Sequence, residues 1–316
     1  MRIAVFGSGG VGGYFGGRLA QTGEEVIFIA RGAHLAAMQA KGLLVESVLG
    51  NFTLQPVHAT NDPRRVGPVD VVFVCVKAWQ VSQAGVAMQP MVGPDTVVIP
   101  LENGVEAPDE LAAVLETPGE PFRHVVGGLC RISSHVTEPG HICHVSIEPT
   151  IAFGRLDGKP DPRLEKLRQA FASAGVKAEI PGDIQAACWM KFVFIAAIGG
   201  LGAITRSPVG VFRALPETRQ MLVQALEEIA AVGQAQHVAL PSDAVQRTLT
   251  LIDKLPGNAL PSMQRDLMSG KPSELEAQNG AVMRMGRAVG IPTPMNTFIY
   301  NSLLPLERLA RGELEF

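Results

Sequence analysis

A glycine-rich turn between an apolar strand and an amphipathic segment constrains this chain more than any other feature. Residues Arg2–Phe6 read as a short β-strand, and Gly7-Ser8-Gly9-Gly10-Val11-Gly12 follows at once, fitting G-x-G-x-x-G. A segment with helical spacing, Val11–Thr22, comes next. Alone the pattern is weak, but strand–turn–helix is the context that gives it physical meaning. Gly7 is expected to allow a tight turn and Gly9 the close approach of a pyrophosphate. Gly12 would let helix and strand pack closely, with Ser8, Gly10 and Val11 completing a phosphate cradle at the helix N-terminus.

The rest of the first half extends this unit. Strands are predicted at Val26–Ala30, Asp70–Val76 and Thr96–Pro100, with helices around Ala33–Ala40, Gln80–Met88 and Pro108–Leu115 between them. Such alternation predicts a parallel sheet covered by helices on both faces. Between Leu43 and Ala59 short extended pieces flank Gly50-Asn51, which reads as a hairpin inserted in the sheet. Residues Val125–Gly154 are again strand-like, turning at Pro139-Gly140. A helix from Pro162 to Ala174 and a strand near Val176–Ile180 close the domain.

Beyond Pro181-Gly182 the strand signature stops. Helical composition covers Ile184–Ile198, Leu215–His237, Ser242–Asp253, Glu274–Val289 and Pro294–Arg311, punctuated by prolines. The chain therefore divides into residues 1–181, an α/β nucleotide-binding domain, and residues 182–316, an all-helical domain.

With 27 Lys and Arg against 30 Asp and Glu, there is no basic surplus to suggest a nucleic-acid partner. Cys75, Cys130, Cys143 and Cys188 form no C-x-x-C pair, which predicts reduced thiols and a cytoplasmic protein. The glycine-rich apolar stretch Phe192–Ile204 reads as too short to span a bilayer, so no membrane partner is expected. His135, His141, Cys143 and His144 gather around the Pro139-Gly140 turn. Alternating strand residues point to opposite faces, so these read as exposed hairpin residues and no metal site is expected.

Four more positions carry chemistry. Arg31, after the second strand, offers a guanidinium suited to a 2′-phosphate where NAD-specific proteins usually place an acid, so NADP is preferred. Lys77 ends the Val74–Lys77 strand and could meet a phosphate, a ribose or substrate, or merely cap the strand. Asn103, in Leu101-Glu102-Asn103-Gly104, could donate and accept near a nicotinamide, with the same plain alternative. Lys191 is the fourth, one lysine in the apolar run Trp189–Ile198. An unpaired buried ammonium is costly, so it either reaches the surface or is used. A nicotinamide enzyme that reduces a ketone needs an acid to protonate the oxygen. His237, the only histidine after residue 180, lies in an ordinary amphipathic stretch, leaving Lys191 the better candidate. A second polar constellation runs Ser262-Met263-Gln264-Arg265-Asp266, then Pro272-Ser273-Glu274, where Ser273 would N-cap a helix and Glu274 be a first-turn acid.

These two constellations, with Gly7–Gly12, make the chain resemble the ketopantoate reductase family over essentially its whole length. The most specific parts are Trp189-x-Lys191-Phe192 and Ser262-Met263-x-x-Asp266, followed by Ser273-Glu274-Leu275-Glu276-x-x-Asn279-Gly280. The resemblance implies a Rossmann-type sheet domain followed by a helical domain. It implies Lys191 as proton donor, Glu274 as an acid beside the cofactor ribose and active site, and Ser262 as a substrate hydrogen-bonder. It also implies Asn103 and Lys77 on the cofactor and substrate side, and Arg31 at the 2′-phosphate. The implied reaction is hydride transfer from NADPH to the C2 ketone of a 2-oxo acid, giving (R)-pantoate for pantothenate biosynthesis in the authentic enzymes.

Those enzymes carry asparagines four and eight residues after the lysine; this chain has Ile195 and Gly199. Gly199-Gly200 would then open room for a bulkier or less polar 2-oxo acid or ketone. Two competing readings are a dehydrogenase of 3-hydroxy acid or opine type and a non-catalytic NADP-binding protein. The Ser262-to-Gly280 motif counts against the first, and retention of Lys191 and Glu274 against the second. The helical domain, rich in Leu, Ala, Met and Gly, is expected to supply a dimerisation surface for a homodimer.

Overall fold

The computed structural model describes residues 1–116, 123–145 and 147–314; position 146, inside the expected strand region, lies outside them. The chain forms two compact units. One comprises Met1–Glu102 with Ala107–Ile184, the other Asn103–Glu106 with Gln185–Phe316. The short Asn103–Glu106 segment thus groups with the helical unit, a detail the sequence pattern does not carry.

In the first unit β1 (Arg2–Phe6), α1 (Gly10–Gln21), β2 (Glu25–Ile29) and α2 (Gly32–Lys41) lead into β3 (Leu43–Ser47), β4 (Phe52–Leu54) and β5 (His58–Thr60). Next come β6 (Val69–Val74), α3 (Val81–Met88), β7 (Val92–Pro100) and α4 (Ala107–Leu115). The unit ends with β8 (Gly127–Arg131), β9 (Ser134–Glu138), β10 (His141–His144), β11 (Thr150–Gly154), α5 (Pro162–Ser173) and β12 (Lys177–Glu179).

The main sheet has the order β5-β2-β1-β6-β7, with every neighbour parallel. Its strands are apolar at successive positions because both faces are covered. Ile3 and Val5 join Phe15, Phe28 and Phe73 on one side, while Ala4, Val72, Val74 and Val98 meet Met88 on the other. The register levels the strand ends: Phe6 pairs with Ile29 and with Val74, and Val74 with Pro100. The glycine turn, Arg31 and Lys77 all leave from this carboxyl edge, where open α/β sheets bind ligands.

The Gly50-Asn51 hairpin forms, but it is not inserted in the main sheet. It joins the second hairpin in a four-stranded sheet of order β4-β3-β10-β9. Its apolar face (Leu43, Val45, and Ile142 of β10, all fully buried) covers α1 instead, with Ile142 against Gly13.

The second unit contains α6 (Ile184–Thr205), α7 (Val209–Phe212), α8 (Pro216–Ala235), α9 (Ala244–Asp253) and α10 (Ser262–Met268). A π-helical turn at Glu276–Gly280 then leads into α11 (Ala281–Val289) and α12 (Pro294–Ala310). At 22 residues α6 is long and apolar enough to cross a membrane by length and composition, which corrects the expectation drawn from Phe192–Ile204 alone. Its apolarity has another use: Phe192, Val193, Ala196, Ala197 and Leu201 are fully buried at the centre of the helical core.

Ser273 does not cap a continuous helix. Its Oγ accepts the Leu275 N–H at 3.2 Å, and regular α-helix begins only after the π turn. That turn is stitched by Gln278 N–H to the Glu274 carbonyl (3.0 Å) and Gly280 N–H to the Leu275 carbonyl (3.0 Å). Single π turns concentrate at functional sites.

Candidate active site

The glycine turn behaves as three separate devices. Gly7 has φ +101°, and a Cβ there would lie 2.7 Å from the Cys75 carbonyl oxygen, so only glycine allows this turn to sit against β6. A Cβ on Gly12 would lie 2.1 Å from the Gly7 carbonyl oxygen and 2.7 Å from Val5, so that glycine is needed for helix–strand packing. At Gly9 a Cβ would meet nothing within 4 Å. The packing therefore leaves this side open, where a ligand would approach. Gly9 caps α1 without a side-chain bond, and the first turn holds no acid. The uncapped amides suit an anion, and the cradle fits a dinucleotide pyrophosphate.

A histidine that sequence reasoning missed holds this loop. His34 Nδ1 accepts the Gly140 N–H at 3.1 Å, which leaves Nε2 to donate to the Ser8 carbonyl at 2.9 Å. No motif advertises it, because its partners are backbone groups distant in sequence. Arg31 is exposed at the N-cap of α2; its carbonyl accepts the Leu35 N–H at 3.3 Å, while its guanidinium makes no hydrogen bond or ion pair among the described residues. Lys77 is half-buried, its N–H donating to Gln80 Oε1 (3.3 Å) and its ammonium 5.9 Å from the Trp79 ring centre.

In the helical unit Glu274 is 6% exposed and accepts Asn103 Nδ2–H at 2.9 Å. Two residues separated by 171 positions are therefore brought into one polar pair. Asn103 is held there by its own segment. Gly104 (φ +116°) lies against the Ala277 carbonyl, and Glu106 takes Arg284 at 2.8 Å, which also pairs with Glu276 on the π turn. The preceding residue, Ser273, is held by Glu307, which is 4% exposed and accepts the Ser273 N–H (3.0 and 3.1 Å) and hydroxyl (2.5 Å). Arg311 closes the group, binding Glu307 at 2.6 Å and the Ser273 carbonyl at 3.1 Å. Glu307 was invisible to motif reading because the helix carrying it looks like an ordinary amphipathic segment.

Lys191 is half-buried on α6, with no hydrogen bond or ion pair among the described residues. Ile195 and Gly199 follow at intervals of four on the same side of the helix. Ser262 is exposed at the start of α10. It does not form a cluster with Gln264, which is fully buried and donates to the Ser207 carbonyl at 3.0 Å. The space expected at Gly199-Gly200 is taken. A Cβ at 199 would lie 3.2 Å from both Gln278 Oε1 and Met263 Cε, and one at 200 would lie 2.6 Å from Ile299.

The histidine hairpin also differs from expectation, since His144 is 1% exposed rather than a surface residue. Its Nε2 donates to the Ile147 carbonyl (2.7 Å) and its Nδ1 accepts from Ser47 Oγ (2.8 Å), a structural role. His141 lies 3.2 Å from Glu46 and 3.7 Å from Glu138.

A parallel-sheet unit with a glycine-rich turn at its carboxyl edge, followed by a helical unit with a buried carboxylate and a lysine unpartnered among the described residues, is the arrangement of a Rossmann-type oxidoreductase. Family models sharpen this: that for ketopantoate reductase PanE/ApbA matches residues 3–158, and that for its C-terminal part matches residues 183–307. The chain belongs to the ketopantoate reductase family, whose members are NAD(P)-dependent reductases of 2-oxo acids. It is 32% identical to a PanE/ApbA family ketopantoate reductase of Ralstonia eutropha JMP134, with a TM-score of 0.89 over 98% of this chain and 100% of the other. It is 30% identical to the 2-dehydropantoate 2-reductase of Mesorhizobium japonicum over 93% of this chain and 94% of that one. A D-mandelate dehydrogenase solved with NADH and anilino(oxo)acetate shares the fold at 21% identity, with a TM-score of 0.87 over 98% of this chain and 100% of the other.

Proposed function

We propose that the protein reduces the C2 ketone of a small 2-oxo acid with NADPH, 2-dehydropantoate to (R)-pantoate being the best-supported reaction. The observation that carries the proposal is the Asn103–Glu274 pair, built into the helical unit that also presents the unpaired ammonium of Lys191. When bound, the nicotinamide supplies the hydride. Gly7–Gly12 hold the pyrophosphate on the α1 amides, and Arg31, whose guanidinium has no ion pair among the described residues, supports NADPH over NADH. Lys191 donates a proton from Nζ to the C2 oxygen as that oxygen gains charge, and the amine then recovers a proton from water. Asn103 fixes the Glu274 carboxylate so that it can orient a hydroxyl, and Ser262 offers a further hydroxyl to the substrate.

A second reading, reduction of a less polar 2-oxo acid or ketone, is favoured by Ile195, an apolar side chain on the side of α6 that bears Lys191. None of the four cysteines is in a disulfide, which supports a reducing, cytoplasmic setting. Exposed Leu215, Phe298 and Leu306 on the helical unit support a homodimer.

The test is steady-state oxidation of NADPH and of NADH with 2-dehydropantoate and with benzoylformate, for the wild type and Lys191→Ala. NADPH and 2-dehydropantoate are expected to give kcat/KM above about 10⁴ M⁻¹s⁻¹. The variant should bind NADPH normally and lose turnover. Wild-type turnover of neither acid would refute the proposal, and preference for benzoylformate would favour the second reading.

A further inference from the structure

Position 199 lacks a side chain, yet its place is filled by an amide from elsewhere. Gln278 Oε1 stands 3.2 Å from where a Cβ at 199 would be, beside Met263, the neighbour of Ser262. Gln278 is 1% exposed and its Oε1 has no hydrogen-bond partner among the described residues. The adjacent amide shows what a structural role looks like here. Asn279 Nδ2 donates to the Ala196 carbonyl at 3.3 Å and to Asn296 Oδ1 at 3.0 Å, tying three helical segments together, although its own Oδ1, like Gln264 Oε1, also lacks a partner among the described residues. Gln278 lies on the π turn four residues after Glu274, and its own N–H binds the Glu274 carbonyl.

A buried acceptor without a donor is unfavourable in the empty protein and needs a reason to persist. We propose that Gln278 is a specificity-determining residue, its amide replacing the side chain absent at position 199 and accepting a hydrogen bond from the hydroxyl of a 4-hydroxy-2-oxo acid. The inference rests on the 2-oxo acid reductase reading and narrows it. An aryl or alkyl tail offers that oxygen no donor, so a substrate lacking the hydroxyl leaves it unpaired. Discrimination comes from that unpaired group rather than from pocket size, since the glycines leave no spare room.

The test compares 2-dehydropantoate with 3,3-dimethyl-2-oxobutanoate, the same carbon skeleton without the hydroxyl, in the wild type and in Gln278→Met. Methionine matches the glutamine in length and removes the amide. The ratio of kcat/KM for the two acids is expected to fall about tenfold in the variant, the loss of one hydrogen bond. Turnover of the dehydroxylated acid should stay within about twofold, and the melting temperature should not fall, because an unpartnered amide leaves the core. The double variant Gly199→Asn/Gln278→Ala, which carries the amide on α6 instead, should restore the ratio. An unchanged ratio in Gln278→Met would overturn the proposal. So would a loss of more than about 5 °C in melting temperature, which would mark the amide as structural. If the wild type reduced neither acid, the reductase reading would fall and this inference with it. Reduction of both acids with an unchanged ratio would remove the inference alone.

Discussion

Replacing Glu307 with alanine should unsettle the helical unit and the acid next to Ser273 together. The carboxylate is 4% exposed and answers three groups: the buried Ser273 N–H and hydroxyl, and the half-buried Arg311 guanidinium. Removing it leaves a buried amide and hydroxyl without an acceptor, each costing about 1–3 kcal/mol. Breaking a buried ion pair by deleting one partner costs about 3–5 kcal/mol by itself. The two figures describe overlapping losses, so the sum is held to roughly 4 kcal/mol. At about 2–4 °C per kcal/mol for a unit of this size, the melting temperature should drop by roughly 10 °C. Glu307→Gln keeps the shape and one acceptor oxygen and should lose less than half as much. Because Ser273 and Glu274 are joined by a single peptide bond, kcat/KM should also fall at temperatures where the variant is still folded. A displacement of about 1 Å can cost up to a hundredfold. Scanning calorimetry beside NADPH oxidation provides both readings. An alanine variant that melts within about 3 °C of the wild type would refute the reasoning, since the Ser273 groups would then have found other partners.

The glycine turn and α5 allow two more checks. Gly9→Ala should keep the wild-type melting temperature, because its methyl meets nothing, yet weaken NADPH binding measured by fluorescence titration; Gly12→Ala should destabilise the fold, because its methyl collides with backbone. Asp161 caps α5, and its hydrogen bond from the Arg163 side chain, outweighing burial, holds its carboxyl below the ordinary 3.8. A carboxyl lowered on folding stabilises the native state above its unfolded pKa and loses that contribution as pH falls through the folded one. The wild type should therefore lose more stability than Asp161→Asn between pH 4 and pH 2, as followed by urea titration; parallel losses would contradict the assignment.

The glycine turn and the strand and helix around it were legible in the chain because their signals are local. Gly7 and Gly12 are required by contacts with residues on adjoining strands, and a strand–turn–helix pattern implies those contacts. Lys191 was legible for the opposite reason, as a charge that local patterning could not explain. What escaped were residues whose meaning depends on a distant partner. His34 binds only backbone, Glu307 sits on an amphipathic helix like many others, and Gln278 matters because position 199 is empty. The hairpin was expected in the main sheet because its alternation fixes only that one face is buried, not against what. His144 was expected at the surface since its type is commonly there, whereas Ser47 and a carbonyl satisfy both ring nitrogens inside.

The histidine bridge gives the small sheet a further significance. Gly140, on the hairpin, reaches the glycine loop through the imidazole of His34, 106 positions away in sequence, and a Cβ on Gly10 would strike the Ser134 carbonyl of that same hairpin. The glycine loop thus has a scaffold wall supplied by a region that carries no nucleotide signature. An engineer altering cofactor preference would ordinarily leave such a hairpin untouched. Here it is a second handle, in contact with the loop at Gly10 and, through His34, at Ser8.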